Sequence, residues 1–334
     1  MLLSIILVSY KTRAFLFDCL KGVYGYTGNI NFEVIVVDNF SGDDIEVLLA
    51  DHFPKVKFIQ MGYNAGFARA NNAGIKIAQG DCVLLLNPDT LIEDNAIQKC
   101  YELFSTSDYV GCGVQLLNAD GTPQISGNYF ITGGQNHLMA LPYVGSCIRW
   151  LGYMLKVKKT NVPEAKGTTE VDWVNGAYLM VKKSAIEKAG LLDEDFFLYS
   201  EEIEWCSRLR KAGQLCIYGN LHVTHLEGMS ANNTFGSTGK GYYNLYDRKG
   251  LQIMLSGFVR IRKQFGVGWF LFHFLAYLFT IPVYFVVTFL RSIFFVASMK
   301  KEWKTFWGFT TNVIKIIPFC FSIITNQPRF YKVL

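Results

Sequence analysis

Residues 82–90 read Cys82-Val-Leu-Leu-Leu86-Asn87-Pro88-Asp89-Thr90. Five apolar residues in a row leave no polar face, so as a strand this run is buried on both sides. It stops at an amide, a proline and a carboxylate. Working outward, Ser4–Tyr10, Phe32–Asp38, Val56–Gln60 and Val110–Leu116 are runs of the same kind, and a helical pattern covers Ala14–Tyr24. Two-sided apolar strands separated by helices predict an α/β class: a mostly parallel central sheet flanked by helices, with a Rossmann-like nucleotide-binding half. Ligands of such sheets bind beyond the carboxyl ends of the strands. The polar residues that follow each run are therefore the candidate site. Residues 127–170 show no clear period and read as a long excursion, a flexible acceptor loop. Order returns at Val171–Lys183, then in a helix over Glu201–Ala212 stopped by Gly213, then in a strand Leu215–Tyr218. There are no internal repeats.

The chain has 334 residues, of which 51% are hydrophobic and 18% charged, and this excludes a disordered chain. The length suits one large domain with an appendage, or two domains. Its net charge of +5 is unevenly spread: residues 1–239 hold 19 Lys/Arg against 25 Asp/Glu, and residues 240–334 hold 13 against 2. An acidic body of net −6 thus precedes a basic tail of net +11. Val267–Leu290 contains 24 residues without Asp, Glu, Lys or Arg. As a helix it is about 36 Å long, enough for a bilayer core. A second apolar stretch, Thr305–Thr325, is interrupted by Lys315 and Pro318. Apolar and basic together favour an anionic membrane surface over nucleic acid. We therefore expect a domain at 1–239 and a membrane-associated helical region at 240–334, either dipping into one leaflet or spanning. The eight cysteines lack Cys-x-x-Cys spacing, which suits buried thiols in a reducing compartment. The apolar N-terminus has no basic flank and reads as a strand.

Five constellations carry candidate chemistry. Asp38-Asn39-Phe40-Ser41 ends the second strand, where a carboxylate can accept from a base or a ribose, or where Ser41 or Asp43 can cap a helix. In Asn64-Ala-Gly66-Phe-Ala-Arg69, a glycine opens a helix, whose free N–H groups, with Arg69, suit a diphosphate or a ribose, or serve ordinary helix capping. Asn87-Pro88-Asp89 offers one strong oxygen ligand for Mg²⁺ or Mn²⁺. Ser200-Glu201-Glu202-Ile-Glu204 crowds three acids into a first helical turn, with Ser200 able to cap it; one acid is a candidate general base, and Glu204 stands four residues before Arg208 as an ion pair. His222-Val-Thr-His225 offers an imidazole ligand at His225.

Taken in order, SIILVSYKT, VIVVDNFSGD, NAGFARANN, LLLNPDT and VDWVNGAYLMVKKSAIEKAGLLDEDFFLYSEEIEWCSRLRKAG resemble a family 2 glycosyltransferase of GT-A fold, in its bacterial rhamnosyltransferase-like subgroup. The resemblance runs from Leu3 to about Arg248. It implies that Asp38 contacts the nucleobase, that Ser9, Asn64, Gly66, Arg69 and Asn87 help bind a nucleotide sugar, and that Asp89 and His225 hold Mn²⁺ or Mg²⁺. It implies that Trp173, Asn175 and Gly176 line the sugar pocket. Glu202 falls at the place of the catalytic base, with Glu201 as the alternative. Asn87 is neutral where the family motif has an acid, and Glu202 is one methylene longer than the usual Asp.

The implied reaction is an inverting transfer from a nucleoside diphosphate sugar to a hydroxyl of a lipid-linked glycan, on a polyprenyl diphosphate, in bacterial surface polysaccharide synthesis. The implied place is the cytoplasmic face of the inner membrane, with membrane lipid as a partner, no nucleic acid, and room for a homo-oligomer. Transfer to polyprenyl phosphate itself and a non-catalytic nucleotide-sugar-binding protein are the alternatives.

Overall fold

A computed structural model describes residues 2–156, 161–226, 235, 237, 244–294 and 299–333. The strands are β1 (Leu3–Ser9), β2 (Phe32–Asp38), β3 (Lys57–Gln60), β4 (Cys82–Leu86), β5 (Thr90–Leu91), β6 (Gly111–Leu117), β7 (Gly127–Asn128), β8 (Thr168–Val171), β9 (Trp173–Val174), β10 (Tyr178–Lys182) and β11 (Leu215–His225). The helices are α1 (Arg13–Tyr26), α2 (Ile45–His52), α3 (Gly66–Ile77), α4 (Ala96–Ser105), α5 (Val144–Met154), α6 (Lys183–Ala189), α7 (Glu201–Leu209), α8 (Arg248–Phe265), α9 (Val267–Phe294) and α10 (Met299–Thr325). The chain forms two compact units. One holds Met1–Tyr129, Thr160–Phe197 and Glu201–Ser230; the other holds Phe130–Lys159, Leu198–Ser200 and Ala231–Leu334.

The first unit is built on a sheet of order β3-β2-β1-β4-β10-β6-β11-β5, with β8 on β11. Successive strand residues point to opposite faces, and here both faces are covered. Ile5, Leu7, Val34, Val36, Leu84 and Leu86 pack with Leu16, Leu20, Ile45 and Phe104 of α1, α2 and α4. The alternate residues Ile6, Ile35, Val37, Val83 and Leu85 pack with Ala68, Ile186, Trp205 and Leu209 of α3, α6 and α7. Each fully buried aliphatic side chain contributes about 1.5–3 kcal/mol, so both faces favour apolar residues. That is why these strands read as continuous apolar runs.

Parallel register aligns the carboxyl ends of β1, β2 and β4: Ser9 pairs with Asp38, and Leu7 with both Val36 and Leu86. Strand β10 enters between β4 and β6 antiparallel to both. Tyr178 therefore stands opposite Leu86, and the turn before β10 reaches the same edge. Strand β11 is longer than expected. A register shift between Tyr218 and His222 breaks its alternation, and it continues until His225 pairs with Thr90. The α7 helix ends at Leu209, short of the expected Ala212.

The stretch 127–170 is not an unstructured loop. Its described residues contain β7, a 3₁₀ segment over Thr132–Ala140, α5 and β8. Gly133 and Gly134 take left-handed φ values of 65° and 69°, which breaks the segment into two short pieces. No single period survives such a break. A side chain at Gly133 would collide with the Trp269 ring at 2.3 Å.

In the second unit α8, α9 and α10 pack together. Phe258 of α8 meets Phe270 and Tyr277 of α9 at 5.8 and 4.9 Å between ring centroids. Helices α9 and α10 run antiparallel, with Tyr284 against Phe306 at 5.5 Å and Arg291 paired to Glu302 at 3.0 Å. Asp247 caps α8, accepting from the Gly250 N–H. Both α9 and α10 are long and apolar enough to cross a membrane. All eight cysteines are free thiols.

Candidate active site

The end of β4 is fixed by its own backbone. The Asn87 N–H donates to the Ala177 carbonyl at 3.0 Å, and the Asn87 carbonyl accepts from the Thr90 N–H and hydroxyl at 3.2 and 2.7 Å. Proline at 88 suits the turn. The Asp89 carbonyl accepts from Leu226 N at 2.9 Å. This ties the carboxylate to the end of β11, where His225 lies. Both side chains are buried, and His225 Nε2 lies 3.4 Å from Asp89 Oδ1 and 3.4 Å from Asn87 Nδ2.

Gln124 sets the imidazole's orientation. Its Nε2 donates to the His225 carbonyl at 2.6 Å and to Asn118 Oδ1 at 2.8 Å. Its Oε1 then accepts from His225 Nδ1 at 2.9 Å. With the proton assigned to Nδ1, Nε2 turns a lone pair toward Asp89. In that tautomer a nitrogen lone pair and a carboxylate oxygen lie 3.4 Å apart, a spacing at which both can ligate one cation. Among the described residues no group of three or more His, Cys, Asp or Glu gathers to hold a metal. Asp89 and His225 make a two-ligand set. That set fits Mn²⁺ or Mg²⁺, which take phosphate and water oxygens for their other positions. No local pattern marks Gln124, which lies 101 residues from His225. His222 is exposed and takes no part.

The turn before β10 links this pair to α7. Asn175 binds its own turn: Oδ1 accepts from the Ala177 N–H at 2.9 Å and Nδ2 donates to the Ile125 carbonyl at 3.2 Å. Trp173 lies in β9 and is half-buried. A Cβ at Gly176 would stand 3.4 and 3.5 Å from Glu202 Cβ and Cγ, so the Glu202 side chain lies on the Gly176 backbone. Residues 175–177 thus join Glu202 to Asn87 and, through the Asn-Pro-Asp turn, to Asp89. Glu201, Glu202 and Glu204 are all buried. Glu204 accepts from Arg208 Nε and Nη2 at 2.8 and 2.7 Å, and Arg208 Nη1 donates to the Ala189 carbonyl at 2.6 Å. Glu204 is therefore a packing ion pair. Burial, with Glu202 and Glu204 adding their charge, pushes the Cys206 thiol up to about 12. Ser200 has a φ of 70°, outside the extended range of a capping residue.

At the ends of β1 and β2, Asp38 Oδ1 accepts from the Ser41 N–H at 3.1 Å, and the Ser9 hydroxyl bonds Thr12 at 2.9 Å. Ser41 Oγ accepts from the Lys11 N–H at 2.9 Å and donates to the Ser9 carbonyl at 3.3 Å. Burial first, then the Asp38 charge, raises the Asp43 carboxyl above the usual range. Helix α2 starts from Asp44 without a side-chain cap, so neither Ser41 nor Asp43 caps it.

The amides expected to be free at the start of α3 are taken. Ala65 N–H donates to Asn39 Oδ1 at 2.8 Å, Gly66 N–H to Asn64 Oδ1 at 3.2 Å and Phe67 N–H to the Phe197 carbonyl at 2.8 Å. Gly66 has a φ of 75°, and a Cβ there would lie 2.2 Å from the Phe197 carbonyl oxygen. Only glycine allows that approach. Arg69 donates to the Glu194 carbonyl at 3.0 Å and to Tyr63 at 3.2 Å. The Ala65, Gly66 and Phe67 amides at this helix start are thus bonded to protein groups.

Residues 4–145 match the model of glycosyl transferase family 2. The chain is 28% identical over 286 residues to the low-salt glycan biosynthesis hexosyltransferase Agl10 of Haloferax volcanii, over 79% of this chain and 85% of that protein. It is 26% identical over 202 residues to the N-acetylglucosaminyl-diphospho-decaprenol L-rhamnosyltransferase of Mycobacterium tuberculosis, over 55% of this chain and 63% of that protein, less than two thirds of its length. In fold it resembles the mannosyltransferase PcManGT of Pyrobaculum calidifontis, solved with GDP-Man and Mn²⁺, with a TM-score of 0.54, 12% identity and coverage of 94% and 86% of the two chains. It also resembles GalNAc-T7, solved with UDP, GalNAc and Mn²⁺, with a TM-score of 0.51, 14% identity and coverage of 79% and 51%. The ordered motifs, the mixed sheet and the matched N-terminal region agree: residues 4–145 resemble glycosyl transferase family 2, and the chain has the GT-A fold.

Proposed function

We propose that this protein is an inverting glycosyltransferase. It moves a sugar from a nucleoside diphosphate sugar to a hydroxyl of a glycan carried on a polyprenyl diphosphate, in surface polysaccharide synthesis. One observation carries the reading: Glu202 lies on Gly176, and the adjoining Ala177 carbonyl holds the turn that presents Asp89 to His225. A general base and a candidate metal-holding pair thus share one edge of the sheet. The match to hexosyl- and rhamnosyltransferases supports the donor class.

Asp89 and His225 would hold Mn²⁺ or Mg²⁺, and Asn87 orients them. Bound there, the cation supplies positive charge against the diphosphate oxygens. Asp38 accepts from the nucleobase, and Ser9 lies beside it. The peptide from Trp173 to Gly176 walls the sugar. Glu202 takes the proton of the acceptor hydroxyl. That oxygen bonds to the anomeric carbon from the face opposite the diphosphate, whose C–O bond breaks with the electron pair leaving on oxygen. Glu202 is preferred to Glu201 because its Cβ and Cγ rest on the Gly176 backbone. Residues 1–239 serve as the catalytic domain and 240–334 as the membrane seat on the cytoplasmic face of the inner membrane; residues 130–159 cluster with that seat.

The test is Glu202→Gln, assayed with Mn²⁺ against a panel of nucleotide sugars. General-base loss costs roughly 10²–10⁴-fold in transfer, with nucleotide affinity unchanged within a few-fold. Turnover at the wild-type rate in this variant would remove Glu202 as the base.

A further inference from the structure

We infer that α9 and α10 lie in the plane of one leaflet, apolar faces in lipid and a row of α10 lysines against anionic headgroups, and do not cross the bilayer. The inference deepens the membrane seat proposed above and rests on it. Along α9 the exposed side chains include Leu271, Leu275, Phe279, Val286, Phe289 and Ile293. Spacings of three, four and seven put them in one stripe, about 33 Å long at 1.5 Å per residue. The other side of α9 is covered by protein. Phe270 and Tyr277 pack on Phe258 of α8. His273 Nε2 donates to the Gly133 carbonyl at 2.8 Å. Tyr284 meets both Tyr143 and Phe306.

The stripe continues onto α10. The Phe285 ring stacks on Phe289 at 6.3 Å and meets Trp303 of α10 edge-on at 5.6 Å. Trp307, Ile314 and Phe321, seven residues apart, are exposed along α10. Beside them lie Lys304 and Lys315, also exposed. These two are eleven residues apart, three turns, and so share one side of the helix about 16 Å apart. Among the described residues neither pairs with an acid, since Glu302 is taken by Arg291.

Lys315 decides against crossing. A crossing helix needs about 20 residues in hydrocarbon. Every 20-residue window within Met299–Thr325 contains Lys315. The windows that leave out Lys304 put Lys315 at their centre, where a lysine is most costly. Lying flat removes the conflict. The apolar stripe enters the acyl boundary while the lysine row beside it meets headgroups. The net charge of +11 over residues 240–334 complements an anionic leaflet.

The test is co-sedimentation of the full chain with preformed vesicles of phosphatidylcholine, with and without phosphatidylglycerol. Binding is expected to favour the anionic vesicles. Each lysine at such a surface is worth about a factor of five, so Lys304→Gln with Lys315→Gln lowers affinity for them about 25-fold, while Lys55→Gln changes nothing. A membrane-impermeant maleimide added to vesicle-bound Lys315→Cys is expected to label position 315, read by peptide mass. Equal affinity for both vesicles, or protection of position 315 with binding intact, overturns the in-plane geometry. Failure to bind either vesicle overturns the seat itself. None of these readouts depends on sugar transfer, so a failed catalytic assignment would be seen separately.

Discussion

Replacing Gln124 with leucine tests the metal-holding assignment through a residue that touches neither donor nor acceptor in the proposed reaction. The substitution removes the acceptor that keeps the proton on His225 Nδ1, a contact of 2.9 Å. The proton is then free to move to Nε2, which takes away the lone pair facing Asp89. Loss of a partner that orients a ligating histidine typically costs 10- to 100-fold in metal affinity. The Mn²⁺ concentration giving half-maximal transfer should rise by about that factor, with the plateau rate within a few-fold of wild type. The side chain also donates to the His225 carbonyl and to Asn118. Two such bonds at roughly 0.5–1.5 kcal/mol each imply a stability loss of about 1–3 kcal/mol. Thermal unfolding separates this loss from the metal effect. Gln124→Glu keeps an acceptor for Nδ1–H and should hold the Mn²⁺ midpoint near wild type. An unchanged midpoint in a folded Gln124→Leu protein would refute the link between Gln124, the tautomer and the cation.

Two further outcomes follow from packing and charge. Gly66→Ala forces a side chain into the left-handed region and toward the Phe197 carbonyl. The backbone alone costs about 1–2 kcal/mol, so the urea midpoint should fall; an unmoved midpoint would contradict the close approach. Glu33 accepts from Lys57 Nζ, Ser4 Oγ and the Gln79 N–H. Burial opposes its ionisation, but these bonds outweigh burial and hold the carboxyl below its ordinary 4.5. Its contribution is therefore complete above the unfolded value and lost as pH falls through the lower folded value. Glu33→Gln should destabilise the protein at pH 7, and its gap from wild type should close in acid; a gap that persists at pH 3 would show that ionisation is not the source.

The first four strands of the parallel half were legible because each is sealed by two hydrophobic layers, so Ile5, Ile6 and Leu7 must all be apolar although they face opposite ways. The places of Asn87, Asp89 and His225 were legible for a related reason. Strand ends are where polar residues reappear, and parallel register lines those ends up. Glu204 was likewise readable from its four-residue spacing to Arg208. The start of α3 differs from the expectation of free amides. Asn64 and Gly66 look like an anion cradle in sequence, yet the neighbouring amides of Ala65 and Phe67 donate to Asn39 and to Phe197, the latter more than a hundred residues on from Gly66. Nothing local announces such partners.

By itself, then, the order of apolar and polar residues determined that this chain folds as a covered, mostly parallel sheet with acids at its edge and a basic apolar tail. Hydrophobic burial is set by composition and period, which are local and one-dimensional. Only the tertiary structure decided that β10 turns back antiparallel beside β4, that this brings Gly176 and Glu202 to the Asn-Pro-Asp turn, and that Gln124 orients His225. Those outcomes depend on hydrogen bonds and close contacts between residues tens to a hundred positions apart, whose geometry exists only once the chain has closed on itself.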